Sequence, residues 1–399
     1  MIPLQPLQDM ILFEEALEIV TGAARLLSAT PVPLAQAHGR VLAQDVFSDM
    51  DMPPFDKSAM DGYACRRADL DKPLEVIEII PAGVVPAKMI APGTCAKLMT
   101  GGMLPQGADM VMMVEDTEPA GENKIRFTGT KSSDNFCLAG EDIRENDLVL
   151  KRGTLLRPQH IAILASVGCA GPLVYDQPVM GVLSTGDELV EPHQKPAPSQ
   201  IRNSNAAQLM AQIDNIGAKP QYFGIVADTL AATREAIEGA IDKCNILLLS
   251  GGVSMGDFDY VPQVLHETGF EVLFKSIAVQ PGRPTVFARK GNMYLFGLPG
   301  NPVSSFVQFE LLVKPLILAL MGSKYSPVQL LLPMGTTFTR RNTRRKSFIP
   351  VVIKQGKVFP VDYHGSAHIH AYVEAHGIVS VEIGKTTIAE GELADVRLI

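Results

Sequence analysis

Apolar residues Leu12, Ala16, Leu17, Val20 and Ala24 recur at helical spacing, and Glu14 and Glu15 fall in an early turn that favours negative charge, so residues 9–27 are predicted as a helix. Between residues 50 and 150 the period shortens to runs such as EVIEII, AKLMT and DMVMMVE, broken by Pro and Gly, the texture of a β-rich domain with exposed turns. Residues 157–167 return to a helical pattern. From Val179 to Leu320 strand-like runs (VMGVLS, QYFGIV, NILLLS, EVLF, TVFA, MYLFGL) alternate with helix-like ones (203–216, 229–243, 260–267 and a last one after Asn301). That alternation builds a largely parallel sheet covered on both faces. The final 75 or so residues read QLLLP, FIPVVI, KVFPV, IHAYVEA, IVSVEI and ADVRLI, a small all-β barrel or sandwich in which His368 and His370 share one face of a strand.

A length of 399 residues implies two to four domains at roughly 100–200 residues each. With 35 basic and 43 acidic side chains the net charge is −8, which leaves no cationic excess for a nucleic-acid backbone. Cys65, Cys95, Cys137, Cys169 and Cys244 are odd in number and never spaced C-x-x-C, so they read as reduced thiols of a cytoplasmic protein. The first residues carry no secretory pattern, and the most apolar stretch, 306–321, is broken by Gln308, Glu310, Lys314 and Pro315, so a buried helix is expected there instead of a membrane span.

In a parallel sheet ligands sit beyond the carboxyl ends of the strands. Four strand-end loops stand out: 184–188 (STGDE), 227–228 (AD), 250–259 (SGGVSMGDFD) and 297–304 (GLPGNPVS). Gly251, Gly252 and Gly256 let backbone N–H groups approach an anion, and Ser184, Thr185 and Ser254 add hydroxyls. Asp187, Glu188, Asp228, Asp257 and Asp259 gather carboxylates that would repel a phosphate without a hard cation, so a phosphorylated ligand with Mg²⁺ is expected. The plainer reading is that Asn203, Thr229 and Asn301 are helix caps. Residues 252–256 also match G-x-S-x-G, the basis of a remote serine-hydrolase reading with Ser254, Asp362 and His364. The run Arg340, Arg341, Arg344, Arg345 and Lys346 is a solvated loop or an anion-attracting edge.

The strings FDKSAMDGYA (55–64), MTGGMLPQGADMVMMVEDTE (99–118), AGEDI (139–143), STGDEL (184–189), SGGVSMGDFDY (250–260), PGRP (281–284) and GLPGNPVS (297–304) resemble, in order and spacing, the molybdopterin molybdenumtransferases, the MoeA and gephyrin E-domain family. The resemblance implies a multidomain α/β chain: an elongated helical and β linker domain for dimerisation (1–48 and 145–176), a β-rich domain serving the partner's cleft (49–144), a doubly wound, mostly parallel α/β domain (177–324) and a C-terminal small β-barrel (325–399). It further implies a cytoplasmic homodimer that takes adenylylated molybdopterin, releases AMP in a Mg²⁺-dependent step and inserts molybdenum from molybdate, with a molybdopterin adenylyltransferase as a possible partner and no nucleic acid or membrane. Motif matching places Asp61, Thr100, Asp142, Glu188, Asp228 and Asp259 among the catalytic residues, with Glu188, Asp228 and Asp259 on the metal; Lys275 and Arg283 join that set as the cations standing near the family's lysine positions. Ser184, Thr185, Gly186, Asp187, Gly251, Gly252, Ser254, Gly256, Pro299, Gly300, Asn301, Ser304, Arg345 and Ser366 complete the ligand-binding set.

Departures from the family pattern shape the expectation. Where it often shows Lys-x-x-x-Lys-Pro-Gly, this chain has Ser276 and Gln280, Lys275 lies one residue early, and Arg283 is the replacement with a planar fork for oxyanions. Basic residues before GED are replaced by Cys137, Leu138 and Ala139. The alternative these losses raise is a catalytically weakened paralogue that binds cofactor or acts as a scaffold.

Overall fold

Ile246, Leu247, Leu248 and Leu249 are consecutive and all fully buried, as a strand covered on both faces requires. They belong to the central strand of the α/β domain, where each such side chain contributes about 1.5–3 kcal/mol of burial. The structure is a computed structural model describing residues 10–131, 133–253, 260–324, 326–363 and 365–399.

In chain order this domain contains β1 (Val179–Thr185), α1 (Ser204–Asn215), β2 (Lys219–Val226), α2 (Leu230–Ala240), β3 (Ile246–Ser250), α3 (Val261–Glu267), β4 (Glu271–Phe274), β5 (Val286–Lys290), β6 (Met293–Leu298) and α4 (Pro302–Gln308). The sheet order is β2-β1-β3-β6-β5-β4. The first four strands are parallel, while β5 and β4 are added antiparallel, so the sheet is mixed at one edge. Asn203 and Thr229 do cap their helices, accepting from Ala206 N at 3.2 Å and Ala232 N at 3.3 Å.

The helical run Pro302–Leu320 is long and apolar enough to cross a membrane, but 78% of it is buried inside the protein. Its middle, Phe309–Val313, widens into a π-helical turn just before Pro315. Proline has no N–H to return to the preceding turn, and the wider turn absorbs that loss. The charges that interrupt the run are paired: Lys314 Nζ lies 2.7 Å from Glu310 Oε2.

The first helix, Phe13–Gly22, is shorter than its apolar pattern and packs differently from the domain grouping expected for residues 1–48. Phe13, Ala16 and Val20 join Met180, Leu209 and Leu316 in the α/β core, and the Phe13 ring meets Phe348 of the C-terminal domain edge-on at 5.3 Å. The remaining stem pairs Ala29–Pro31 with Leu173–Tyr175 and Val46–Phe47 with Leu148–Leu150, around a core of Leu42, Leu156, Leu164 and Val174. Residues 49–144 carry a six-stranded sheet, antiparallel except where Leu74–Ile80 runs beside Thr94–Leu98.

In the C-terminal domain Gln329–Pro333, Leu393–Leu398, Gly377–Val381, Lys346–Lys354 and Lys357–Pro360 pair antiparallel in that order. A bridge from Met334 to Val358 closes the sheet on itself. The strand expected through His368 and His370 is instead a 3₁₀ turn, Ile369–Tyr372. Tertiary packing overrides the local pattern there: Tyr372 lies against Phe306 at 5.2 Å and Tyr363 at 6.5 Å. All five cysteines are free, and burial pushes the Cys65 and Cys95 thiols up to about 12.

Candidate active site

Register aligns the loops. Ser184 on β1 pairs with Ser250 on β3, Ser250 pairs with Leu298 on β6, and Thr185 pairs with Val226 on β2. The loops that follow therefore leave the sheet at one level, on one edge. Because β1 lies between β2 and β3, the chain departs in opposite directions on either side of it, which opens a crevice between the loops after β1 and β3.

The crevice floor is tightly built. Gly251 and Gly252 have φ of +101° and +65°, and a Cβ on Gly251 would come 2.6 Å from Thr185 O. Only glycine lets the two loops touch this way. Ser184 is fully buried with its hydroxyl directed at Asn203 Oδ1 (3.1 Å), and Asn203 Nδ2 donates to Tyr222 OH, which donates on to Glu191. Asn205, also buried, donates through Nδ2 to Ser250 Oγ at 2.8 Å and to Gly300 O at 2.7 Å, joining the loops after β3 and β6. Ser254, Gly256, Asp257, Asp259 and His364 lie outside the described residues.

Carboxylates crowd the β1 and β2 ends. Asp228 N donates to Asp187 Oδ1 at 3.2 Å, and the Glu188 carboxylate folds over Gly186. Burial, then the charges of Asp187 and Glu188, raise the Asp228 pKa against the pull of the Asp187 N–H and the Thr185 hydroxyl. By ordinary geometric limits buried Thr185 Oγ1 has no hydrogen-bond partner. An all-oxygen, charge-strained set with a spare hydroxyl fits a hard cation such as Mg²⁺. Among the described residues no three His, Cys, Asp or Glu side chains close a cage; Glu188 and Asp228 need a further ligand, the place the sequence gives to Asp259.

Across the rim Asn301 is not a side-chain cap. Its Nδ2 donates to Ser366 Oγ at 2.9 Å, and Val303 N donates to Ser366 O at 3.0 Å, binding the barrel to the loop after β6. Pro299 and Ser304 are buried and Gly300 is exposed. The Arg345 guanidinium has its pKa lowered by burial and then by the neighbouring charge of Arg283, so these two cations converge. The rest of the basic run does not: Arg340 is spent on the carbonyls of Lys385 and Arg345, and Lys346 bridges Glu14 (2.7 Å) and Glu382 (2.8 Å). Lys275 is exposed, in a segment whose Ser276 carbonyl pairs with Ile11 N.

In the β-rich domain, Asp61 accepts from Thr100 N at 2.5 Å and Thr100 Oγ1 at 2.8 Å, which lowers its pKa. Asp142 is exposed, its N–H donating to Met52 O at 3.0 Å. These contacts stay within residues 49–144.

Family models for the MoeA N-terminal region (domains I and II), a probable molybdopterin-binding domain and the MoeA C-terminal region (domain IV) match residues 11–168, 181–319 and 333–399. The molybdopterin molybdenumtransferase of Bacillus subtilis (strain 168) is 34% identical over 384 residues, covering 92% of this chain and 89% of that protein. The chain belongs to the molybdopterin molybdenumtransferase family. It is a transferase of molybdenum cofactor biosynthesis. The molybdopterin molybdenumtransferase of Staphylococcus aureus (strain Mu50) is 32% identical, covering 96% of this chain and 94% of that one. A crystal structure of the molybdopterin biosynthesis MoeA protein from Pyrococcus horikoshii OT3 superposes with a TM-score of 0.84 at 28% identity, covering 98% of this chain and all of that chain.

Within this molybdenumtransferase, Asn205 and Tyr222 escape sequence reasoning. Asn205 stands beside a helix cap and looks like a second capping residue. Its partners lie 45 and 95 positions away. Only the doubled Asn of Asn203-Ser-Asn205, one more than a cap needs, hints at another task.

Proposed function

We propose that this chain transfers molybdenum from molybdate to the dithiolene of adenylylated molybdopterin, cleaving the pyrophosphate bond and releasing AMP. The observation that carries the reading is the single level at which the loops after β1, β2, β3 and β6 leave the sheet, with carboxylates at one end and Arg283 and Arg345 at the other. A ligand lying along that rim meets the side-chain-free backbone of Gly251 and Gly252, carboxylate oxygens at Glu188 and Asp228, and cations toward Ser366.

Glu188 and Asp228, with Asp259 beyond the described residues, would hold Mg²⁺, which when bound offsets the charge of the pyrophosphate. The chain's own groups orient the ligand: Asn205 fixes Gly300 relative to Ser250, Asn203 anchors the loop after β1, and Arg283 with Arg345 holds the oxyanion. Asp61, Thr100 and Asp142 act on the cleft of a second copy in a cytoplasmic homodimer. Exposed Phe47 and Leu148, cross-strand partners on the stem, together with Met50 offer an apolar contact for that copy. A molybdopterin adenylyltransferase is the partner whose product this site consumes.

The test incubates purified protein with adenylylated molybdopterin, Mg²⁺ and molybdate, following AMP and active cofactor together. Both products are expected. AMP without cofactor would reduce the reading to hydrolysis, and neither product would overturn it.

A further inference from the structure

The turn that carries Arg283 is tied at three successive carbonyls. Pro281 O accepts from Gln308 Nε2 at 3.0 Å, Gly282 O from Thr285 Oγ1 at 2.8 Å, and Arg283 O from the main-chain N–H groups of Thr285 (2.9 Å) and Ile277 (3.0 Å). The Thr285 and Ile277 bonds stay within residues 277–285. The bond from Gln308 comes from elsewhere, from the last residue of α4, the helix that begins at the rim beside Asn301.

Gln308 is fully buried and lies against the turn. Gly282 has a φ of +104°, and a Cβ there would come within 2.8 Å of Gln308 Cδ, so glycine lets the amide rest on the main chain. Pro281 O can only accept, which fixes Nε2 toward it and turns Oε1 away. Buried Oε1 has no hydrogen-bond partner among the described residues. One bond made and one acceptor left unmade nearly cancel, because burying an orphan costs about as much as a neutral hydrogen bond returns. Stability of the fold therefore gives little reason for an amide at this position, whereas holding the turn in place does.

We propose that Gln308 is a positioning residue for the oxyanion clamp: through Pro281 O it sets where the Arg283 guanidinium stands relative to Arg345. The inference rests on the proposed role of Arg283. Arg345 Nη1 donates to Val279 O at 3.4 Å, in the same segment, so both cations take their places from the path of this main chain. Like charges repel, and their separation has to be imposed by the backbone. Without the tie to α4 the turn would relax away from Arg345, and an oxyanion held between the two guanidinium groups would lose one arm.

Molybdate is titrated into the full chain, Gln308→Met, Arg283→Ala and the double variant, and amide hydrogen exchange is followed at Ile277 and Thr285. Methionine keeps the length and burial of the side chain and removes the donor. Pro281 O loses its partner as the orphan Oε1 disappears, so the urea midpoint is expected to hold. Gln308→Met should weaken molybdate binding about tenfold and speed exchange at both amides by about as much. On the Arg283→Ala background the same change should alter molybdate affinity by less than about twofold, because its route is already gone. Thr285→Val, which unties Gly282 O without touching α4, should reproduce the molybdate loss. Wild-type exchange rates in Gln308→Met, wild-type molybdate affinity in Gln308→Met or Thr285→Val, or an undiminished loss on the Arg283→Ala background would each overturn the proposal. Loss of affinity in Arg283→Ala with none in Gln308→Met fails the positioning role alone; Arg283→Ala that binds molybdate as the wild type does fails the clamp itself, and the positioning role with it.

Discussion

Asp61 and Thr100 form a two-pronged clasp, the carboxylate oxygen of one receiving both the backbone N–H and the hydroxyl of the other. The clasp draws together two loops that are also zipped by main-chain bonds from Gly101 N to Ser58 O and from Ser58 N to Gly102 O. It holds the carboxyl below its ordinary value near 3.8. A depressed acid stabilises the fold above its unfolded pKa and loses that contribution as pH falls through the lower folded value. Amide exchange at Thr100 should therefore stay slow at neutral pH and quicken only below about pH 3.8, and Asp61→Asn should abolish that acid step.

Asp228 has the opposite sign. Its raised folded pKa means that ionisation is disfavoured in the folded state, so its charge costs stability at neutral pH and the cost fades on acidification. Asp228→Asn should raise the melting temperature at pH 7 while suppressing Mg²⁺-dependent AMP release. Added Mg²⁺ should lift the wild-type melting temperature and leave the variant's unmoved. Equal melting curves and unchanged turnover would take Asp228 out of the metal site.

Gly300 O can only accept, so the Asn205 atom facing it must be Nδ2, and Asn205→Asp would set a carboxylate oxygen against that carbonyl. Losing both donated bonds in a buried place costs about 1–3 kcal/mol, measurable by urea unfolding. The loops after β3 and β6 should loosen first, seen as faster hydrogen exchange at Gly251 and Asn301. KM for the adenylylated substrate should rise more than kcat falls.

Gly251→Ala combines a positive φ with a Cβ directed at Thr185 O, a penalty of about 1–3 kcal/mol, or else a displaced loop. In either case AMP release should fall by about tenfold or more. An alanine variant that folds and turns over normally would show that the close approach of the two loops is dispensable.

Arg283→Ala removes the charge that, after burial, depresses Arg345, so Arg345 regains part of its basicity while one arm of the oxyanion clamp disappears. Molybdate affinity should weaken by about tenfold, read by titration. Indistinguishable titrations would end the idea that Arg283 makes up for the lysines replaced by Ser276 and Gln280.

The rim was legible in sequence because strand and helix periods, and the glycines and carboxylates in the loops, are local signals. β3 declared itself through four apolar residues in a row, and Gly251 through its place at the end of that strand. What stayed hidden depends on distant partners. Asn205, Asn301 with Ser366 and the packing of Phe13 on Phe348 join residues that no short window compares. The basic run misled for the same reason: counting charges in 340–346 says nothing of the carbonyls and carboxylates that hold Arg340 and Lys346. His368 and His370 had a strand-like spacing that the Tyr372 contacts overrule.

Ser366 grips the loop after β6 twice, once through its side chain and once through its carbonyl. The barrel and that loop are therefore coupled through one residue, beside the pairing of Gln280 with Ser347 and the contact of Phe13 with Phe348. Any swing of the barrel away from the sheet must either carry Asn301 and Val303 with it or break both bonds together, so the stance of the barrel and the shape of the rim change as one.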